Sequence, residues 1–465
     1  MIEAIRTSAR WFAVLALLLL GAGDSAKGAA PVPRYRFEPG QELRYSGQME
    51  GELGSGKKVR SNITWRVWVV RQNDDGSWRL ILRYGSKPTD PPMPPRPGRG
   101  QESVQLAWCD FSPQGRAIGN EAFTHLVAND ELLTRLPDDE RAAEAGWTEP
   151  WPTLNMSNRC RLLADPSTAE AAVVETVREG FIVDVYGTSV TRKVNFNLQR
   201  GLPEKIDRTV TCASPQDGRS SSTLKLDEVV LHDAAWCREF AAQAERYFAG
   251  ADAYYLPMRD RSLSSRELKS GLEKVVPSLR QLQSELRGSI FESAVRDIVS
   301  EHGPPGDGEI REGNYLTSAR KRESLVGRRA ADWTCTDFEG REHSLQDYRG
   351  RVVLLDFWFR NCYWCVQSMP QLKEIAAHFE RQPVTLLGMN EDEEPEVAQL
   401  AIKNAKLNYL NLQARGIARE YQSPGSPGLV IIDPAGIIRD VHIGYSKDLK
   451  QRVVKSVEEL LKKTP

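Results

Sequence analysis

The spacing of hydrophobic and polar residues changes twice along this chain of 465 residues. Between residues 31 and 233 apolar and polar positions alternate, which predicts strands. Between residues 234 and 302 apolar residues recur every three or four positions, which predicts helices. Short apolar runs then alternate with helical patterns over residues 325–465, as in a sheet covered by helices. We therefore predict a multi-domain α+β protein, in which residues 303–324 link the helical segment to the last domain.

The β-rich domain at 31–233 contains a clear hairpin signal. Trp65, Val67 and Val69 alternate with their neighbours, and an Asn-Asp-Asp-Gly turn at 73–76 then leads into another apolar run. Later segments that are also predicted to be strands are 181–185, 190–196, 208–212 and 222–226. We expect an antiparallel sheet, barrel-like or sandwich-like, with one buried face and one polar face.

The helical segment at 234–302 carries a single apolar stripe. Ser264 and Glu267 form the signature of a capping box at the start of its longest helix. The stripe that follows consists of Leu268, Leu272, Val275, Leu279, Leu282 and Leu286. It could form a homodimer through a short coiled coil, or it could pack against the chain's own β-rich domain. We favour the second use.

Residues 1–30 have the pattern of a secretory signal peptide. Arg6 and Arg10 give a positive start, and small residues at 28–30 could form a cleavage site. The apolar run at 11–20 is about half as long as a membrane-spanning helix needs to be. An uncleaved N-terminal anchor is the alternative, and the sequence contains no other candidate membrane span. We expect an exported protein, in the periplasm or cell envelope, where disulfides persist.

Composition and cysteine content narrow the function classes further. The 62 basic and 63 acidic residues give a net charge of −1, which provides no electrostatic reason to expect a nucleic-acid partner. Cys109, Cys160, Cys212 and Cys237 could form two structural disulfides in any of three pairings, or they could be buried free thiols. Cys335 is expected to be a small core residue on the first strand of the last domain.

Two cysteines stand where a buried strand is followed by a helix. The apolar run at 352–358 precedes Cys362 and Cys365, and Met369 and Leu372 follow at helical spacing. The free N–H groups and the dipole of a helix N-terminus favour negative charge, so we expect a lowered pKa for the first thiol. The second cysteine is close enough to form a disulfide with the first. This arrangement is the one that thiol–disulfide exchange requires.

The strand, the cysteine pair, Asp356 before it and Pro427 after it resemble the TlpA/ResA-like branch of the thioredoxin-fold oxidoreductases, in the redoxin superfamily. The resemblance covers residues 325–465 and implies a thioredoxin fold, with a central mixed sheet flanked by helices. It implies that Cys362 is the exposed attacking thiol and Cys365 the buried resolving thiol. It also implies that Asp356 is the buried acid that manages the proton of the second cysteine.

The resemblance also implies a substrate-binding surface beside the cysteine pair. Pro427 matches the cis-proline that packs against the disulfide, and a cis bond is costly enough to be a deliberate feature. The backbone of Ser426 would pair with an extended substrate segment, as in strand addition. Trp358, Tyr363 and Trp364 flank the two cysteines in the sequence and are further candidates for substrate contact.

Several residues depart from the family pattern. Asn361 replaces the usual Trp before the first cysteine, and as a good N-cap its side chain could compete with the thiolate for the same N–H groups. Tyr363 and Trp364 replace the usual Gly-Pro dipeptide, which influences the redox potential. Ser368 and Gly428 stand where a glutamate and a threonine are common in relatives. The exchange chemistry remains plausible, but its direction stays open.

Other interpretations of the cysteine pair are weaker. Tetrahedral zinc needs four ligands, and no second cysteine pair or nearby Cys/His set is present. Copper-delivery relatives space their cysteines differently, and a peroxiredoxin would need a threonine where Phe359 stands. An inactive thioredoxin domain is the more serious alternative, although the chain keeps both cysteines and the acid. We expect no metal and no cofactor other than the redox-active disulfide Cys362–Cys365.

These observations predict an exported thiol–disulfide oxidoreductase that acts on extracytoplasmic proteins, most readily as a reductase. Its partners would be proteins that carry a disulfide or dithiol, together with a dithiol that donates electrons. Arg360 near the thiolate and the missing Gly-Pro would favour the oxidising direction instead. A hypothesis of a different class is an envelope ligand-binding or scaffolding protein whose thioredoxin-like domain is structural.

Overall fold

The structure is a computed structural model of the chain. The parts of the chain that it describes are residues 32–52, 56–90, 103–119, 132–151, 156–163, 170–212, 218–260, 263–303, 311, 313–421 and 426–463. The signal peptide predicted at 1–30 lies outside these ranges. In the described residues, no helix combines the length and hydrophobicity needed to cross a membrane.

An antiparallel sheet of eleven strands forms the N-terminal region. Its spatial order is β5-β4-β3-β2-β1-β11-β10-β9-β8-β7-β6, so the first and last strands of the region pair in the middle. The predicted turn at 73–76 connects two paired strands. The strands are β1 Gln41–Glu52, β2 Lys58–Gln72, β3 Trp78–Asp90, β4 Ser103–Phe111, β5 Ala117–Gly119, β6 Trp147–Trp151, β7 Met156–Leu163, β8 Ala171–Gly180, β9 Thr188–Asn197, β10 Leu202–Cys212 and β11 Arg219–Leu231.

Two short helices interrupt this sheet, α1 (Glu140–Ala145) and α2 (Phe181–Tyr186). The second corrects the strand predicted at 181–185. Gly180 and Gly187, both with positive φ, bound α2 on either side, and the αL conformation of Gly187 ends the helix. The β-branched residues between them favour a strand locally, but Val185 is buried against distant helices instead. Tertiary packing therefore overrides the local pattern.

Three helices follow the sheet: α3 (Ala234–Arg259), α4 (Ser265–Glu285) and α5 (Glu292–Ser300). The predicted capping box of Ser264 and Glu267 is present at the start of α4. The buried residues of α4 are Leu268, Leu272, Val276 and Leu279. They belong to one apolar core with the strands, so the stripe packs within its own chain, as favoured above.

The C-terminal region contains a mixed sheet of seven strands in the order β13-β12-β16-β15-β14-β17-β18. The central strand β14 is parallel to β15 and antiparallel to β17. One apolar cluster covers each face of this sheet. The elements are β12 Thr334–Asp337, β13 Glu342–Ser344, β14 Val352–Trp358, α7 Tyr363–His378, β15 Val384–Asn390, α8 Pro395–Ala405, β16 Leu410–Gln413, α9 Ile417–Glu420, β17 Gly428–Ile432, β18 Ile438–Ile443 and α10 Leu449–Lys463, with α6 Asn314–Leu325 before them.

The helix α6 changes the interpretation of the linker predicted at 303–324. It packs against α4 and β18, and its residues Leu316 and Ala319 are buried in the core of the N-terminal region. The N–H of Ser265 donates a hydrogen bond to the Glu323 side chain at 2.6 Å. The second half of the linker is therefore a packed helix and not an extended tether, while the domain boundaries themselves stay a prediction.

Among the described residues, the five cysteines outside the CxxC motif form no disulfide. Of the two alternatives for Cys109, Cys160, Cys212 and Cys237, the structure has the one without disulfides, although only Cys109 and Cys160 are buried. Burial raises the pKa of Cys109 to about 12. Cys335 is buried on β12, as expected of a small core residue. Burial raises its pKa to about 11.

Candidate active site

The cysteine pair lies at the carboxyl end of the central strand. All seven residues of β14 are buried, and the chain then passes through a short loop into α7. Cys362 and Cys365 form a disulfide with an S–S distance of 2.03 Å and a Cα–Cα distance of 5.2 Å. The strand-to-helix position predicted from the apolar run is therefore confirmed.

The first cysteine itself caps the active-site helix. Cys362 is the N-cap of α7, and its Sγ accepts a hydrogen bond from the N–H of Cys365 at 3.1 Å. The capping role considered for Asn361 is therefore wrong, and that residue is exposed. When the disulfide is reduced, this N–H and the helix dipole favour negative charge on the Cys362 sulfur.

Asp356 lies inside the protein, on the face of β14 that α7 covers. Strand side chains alternate between faces, so Asp356 shares a face with Leu354 and Trp358. Leu354 packs against α7, and Trp358 belongs to the apolar cluster that contains both cysteines. The Oδ2 atom of Asp356 has no hydrogen-bond partner in the described residues, and burial raises the pKa of the carboxyl to about 8. The acid therefore keeps its proton at neutral pH in the disulfide form.

Tyr409 is a neighbour of this acid that sequence reasoning missed. Its hydroxyl is buried and has no hydrogen-bond partner among the described residues. Burial, and then the negative charge of Asp356, raise the pKa of Tyr409 well above its usual value. The two groups therefore interact electrostatically within the same apolar surroundings. The only sequence signal was an aromatic residue just before a short strand.

Asp392 holds the loop that precedes the first cysteine. Its Oδ2 accepts hydrogen bonds from the backbone N–H of Arg360 at 2.9 Å and from Nδ2 of Asn390 at 2.8 Å. Asp392 belongs to an acidic run at 391–394, and these two hydrogen bonds give its side chain a structural role. A charged acceptor makes these bonds stronger than neutral ones, so the loop is fixed to the end of β15.

Trp358 is an internal anchor. It is fully buried, and its Nε1 donates a hydrogen bond to Oδ1 of Asn411 at 3.0 Å. Gly388 leaves the space for this bond, because a Cβ at that position would lie 2.0 Å from the Asn411 oxygen. The side chain of Trp358 therefore does not lie on the surface where a substrate would bind, in contrast to the expectation from its place in the sequence.

The proline loop lies next to the cysteine loop. The Ser426–Pro427 bond is cis, as the family resemblance implies. Pro427 is buried, and the following Gly428 pairs with Phe357 near the end of β14. Ser426, the residue before it, is exposed.

The two aromatic residues between the cysteines face different surroundings. Trp364 is 41% exposed and stacks on Tyr445 with ring centroids 5.2 Å apart. Tyr363 is partly buried, and its hydroxyl accepts a hydrogen bond from Nε2 of Gln367 at 3.2 Å. Burial raises the pKa of Tyr363. Of these two residues, Trp364 therefore has the more open ring.

The N-terminal region reaches the active site through α2. Val185, at 0% exposure, shares an apolar cluster with both cysteines, and α2 packs against α7 and α8. The Nη2 atom of Arg360 donates a hydrogen bond to the carbonyl of Tyr186 at 3.1 Å. The Nδ2 atom of Asn404 donates to the carbonyl of Val185 at 3.3 Å. This contact could not be predicted from the sequence, because its two sides are far apart in the chain.

No metal site accompanies the cysteine pair in the part of the chain that the structure describes, where no group of three or more His, Cys, Asp or Glu residues could hold an ion.

Comparison with known proteins identifies the C-terminal region. Residues 326–441 match the model of the AhpC/TSA family. The thioredoxin-like protein YneN of Bacillus subtilis is 28% identical over 145 residues, which are 30% of this chain and 85% of that protein. The thiol-disulfide oxidoreductase ResA of Geobacillus thermodenitrificans is 40% identical over 77 residues, which are 17% of this chain and 43% of that protein.

Two solved structures are also similar in sequence to this region of the chain. The thioredoxin domain of a thiol-disulfide oxidoreductase from Bacteroides vulgatus is 29% identical, with a TM-score of 0.27 over 28% of this chain and 97% of that chain. A thiol:disulfide interchange protein from Bacteroides sp. is also 29% identical, with a TM-score of 0.27 over 29% of this chain and 90% of that chain. The C-terminal region of this chain is therefore a redoxin domain of the AhpC/TSA family, and its relatives are thiol–disulfide oxidoreductases of the thioredoxin family.

Proposed function

We propose that this protein is an exported thiol–disulfide oxidoreductase that reduces disulfides in extracytoplasmic proteins through its Cys-Tyr-Trp-Cys motif. The observation that carries the proposal is the Cys362–Cys365 disulfide at the start of α7, together with the buried Asp356 on β14. A nucleophile at a helix N-terminus, a resolving thiol one turn later and a buried acid are the groups that the reaction needs.

The first step uses the capped cysteine as nucleophile. The Cys362 thiolate attacks one sulfur of a substrate disulfide, and a mixed disulfide forms while the other substrate sulfur leaves as a thiolate and takes a proton. The Cys365 N–H, 3.1 Å from the Cys362 sulfur in the oxidised protein, favours the attacking thiolate over the thiol.

The second step releases the substrate. The Asp356 carboxylate, which is the minor form at neutral pH with a pKa of about 8, takes the proton of Cys365, and the resulting thiolate attacks the Cys362 sulfur. The Cys362–Cys365 disulfide forms, and the second substrate sulfur leaves as a thiolate that takes a proton from solvent. Two electrons have then passed from the cysteine pair to the substrate. Asp356 ends this step protonated, which agrees with its pKa of about 8 in the disulfide form.

The substrate would bind on the open side of the cysteine pair. The backbone of the exposed Ser426 would pair with an extended substrate segment, and Pro427 lies behind it against the strand. The exposed ring of Trp364 offers apolar contact area on the same helix N-terminus, while Tyr363 contributes mainly from inside. Trp358 supports these residues from the interior.

The proposed reaction requires no metal or nucleotide. Electrons would come from a partner dithiol, and the cysteine pair is the only redox group that the mechanism uses. Export rests on the signal-like pattern at 1–30, and the location would be the periplasm or cell envelope. The threonine expected of a peroxiredoxin is absent, since Phe359 stands three positions before the first cysteine.

A redox titration of the full-length protein tests the proposal. Defined thiol–disulfide buffers set the potential, and alkylation of Cys362 and Cys365 reports the oxidised fraction. A midpoint near −270 mV, the value of thioredoxin, is expected for a reductase, whereas a midpoint near −120 mV would indicate an oxidant. If the two cysteines do not exchange with the buffers, the binding or scaffolding hypothesis replaces this one.

A trapping experiment with two matched variants tests the order of the steps. Cys365→Ser removes the resolving thiol, so the mixed disulfide with a substrate protein should accumulate. Cys362→Ser removes the attacking thiol and should accumulate none. Equal trapping by both variants would contradict the assigned roles.

A further inference from the structure

The helix α2 belongs to the N-terminal region, but its partners belong to the redoxin domain. It connects β8 to β9, two neighbouring strands that pair with each other. A hairpin connection needs only a few residues, so the sheet does not require a helix at this point. Instead α2 packs on α7 and α8, and Val185 enters the apolar cluster of the two cysteines.

The redoxin domain holds the C-terminal end of α2 with two polar side chains. The last carbonyls of a helix lack partners within it and carry partial negative charge. Arg360 is fully buried and donates to one of these carbonyls, that of Tyr186, and Asn404 donates to that of Val185. A buried guanidinium is costly without partners, so this contact stabilises the docked position of α2.

The docked helix covers one side of the disulfide. Cys362 is only 8% exposed, although its resemblance to the attacking cysteine implied an exposed thiol. Tyr363 packs into the same cluster as Phe181 and Val185, on the side that α2 covers. Trp364, at 41% exposure, marks the side that stays open. The N-terminal region therefore closes the Tyr363 side to an approaching partner.

We propose that α2 determines which partners reach Cys362, with Val185 as the buried residue that positions the helix. A folded protein needs room on both sides of the cysteine loop to present its disulfide, and docked α2 excludes it from the Tyr363 side. An extended segment or a small disulfide can approach from the Trp364 side alone. The inference deepens the proposed function and rests on it.

The test compares two substrates with a variant that lacks the helix. The six residues Phe181–Tyr186 are replaced by a glycine-serine linker of equal length, which keeps the β8–β9 connection. The reduced full-length protein is then mixed with insulin, as a folded protein disulfide, and with 5,5′-dithiobis(2-nitrobenzoic acid), as a small disulfide. We expect the insulin rate to rise about tenfold, which corresponds to ~1.4 kcal/mol, and the rate with the small disulfide to stay within about twofold.

A point variant and its matched control test whether the docked position of α2, and not any change in its sequence, determines the ratio of the two rates. Val185→Glu places a carboxylate among apolar side chains, so α2 should leave its site and the same change in the rate ratio should follow. Asp184→Glu alters the exposed neighbour on the same helix and should leave both rates unchanged. Hydrogen exchange of the α2 amides reports whether the helix has left.

Each result of these experiments supports or overturns the role proposed for α2. An unchanged ratio of the two rates in the linker variant would overturn it, as would an equal effect of Asp184→Glu. If the unaltered protein exchanges with both substrates and the ratio does not respond, this inference fails and the proposed function stands. If neither substrate reacts with any variant, the proposed function fails first.

Discussion

Asp356 combines a buried position with a carboxyl group that stays protonated at neutral pH. Its Oδ2 finds no hydrogen-bond partner among the described residues, so the charged form would lose its hydration without compensation. A buried carboxyl group with a pKa of about 8 can release its proton and take one back when a neighbouring thiol reacts. The same condition gives the residue a measurable effect on stability.

Substitution of Asp356 by Asn should remove a pH dependence from the oxidised protein. The folded pKa of about 8 lies above the unfolded value near 3.9, so between these pH values the native state binds more protons than the unfolded state. The free energy of unfolding should therefore fall as the pH rises from about 4 to 8, by up to ~1.4 kcal/mol per pH unit. Asp356→Asn should lose this slope in urea unfolding at pH 5 and pH 8.

Asp332, an exposed acid in the same region, provides the matched control. Asp332→Asn should retain the slope of the unaltered protein. Identical pH slopes in Asp356→Asn and the unaltered protein would contradict the raised pKa.

At the scale of single elements, the packing of side chains against β15 depends on Gly388. A Cβ on Gly388 would lie 2.0 Å from Oδ1 of Asn411 and 3.1 Å from Nε1 of Trp358, so the bond between these side chains would break. Gly388→Ala should lower the free energy of unfolding by about 1–3 kcal/mol. Gly271→Ala, in a helix where nothing lies within 4 Å of the new Cβ, should be neutral or stabilising by up to about 1 kcal/mol. Urea unfolding measures both.

The position of the loop between β14 and α7 depends on a hydrogen bond to Asp392. Asp392→Ala removes the acceptor for the Arg360 N–H and for Asn390, at a cost of about 1–3 kcal/mol for each group left unpaired. The cysteine loop should loosen, and the exchange rate should fall together with stability. Glu393→Ala, which removes an exposed neighbour paired with Arg415, should change neither quantity measurably. Equal effects of the two variants would show that Asp392 does not position the loop.

The helix α2 is a part of the structure that could not be predicted from the sequence. The cysteine pair, Asp356 and the cis-proline were predictable because each belongs to a short motif, or lies in a run whose periodicity is local. The helix at Phe181–Tyr186 was not predictable, because residues 181–185, four apolar residues and Asp184, form a segment short enough to fit either a strand or a helix. The deciding contacts come from Arg360 and Asn404, and no local pattern records them.

For the whole molecule, the two sheets respond to pH in opposite directions. In the N-terminal region, burial of Glu42 opposes ionisation, but hydrogen bonds from Arg44, His232 and Arg66 outweigh it and hold its pKa at about 2. A lowered folded pKa contributes stability above the unfolded value near 4.3 that is lost as the pH falls towards 2. Asp356 contributes the reverse dependence in the redoxin domain.

Hydrogen exchange should therefore show that the region with the least protected amides differs between pH 3 and pH 8. At pH 3, amides of β1 and β2 around Glu42 should exchange faster relative to those of β14, and at pH 8 the order should reverse. Glu42→Gln should abolish the acid effect in the N-terminal region and leave the behaviour of β14 unchanged. Uniform exchange changes across both sheets would contradict the separate origins of the two effects.

The six-residue length of α2 also has a consequence for the order in which the protein matures. Isolated helices shorter than about 12 residues are marginal in water, so Phe181–Tyr186 has little helical stability of its own. Ribosomes complete this segment long before Arg360 and Asn404, which later bind its carbonyls. The β8–β9 connection consequently adopts its final conformation only after the last part of the chain has folded against it. A C-terminal truncation would thus leave an unfinished site in the N-terminal half, although every residue of that half is present.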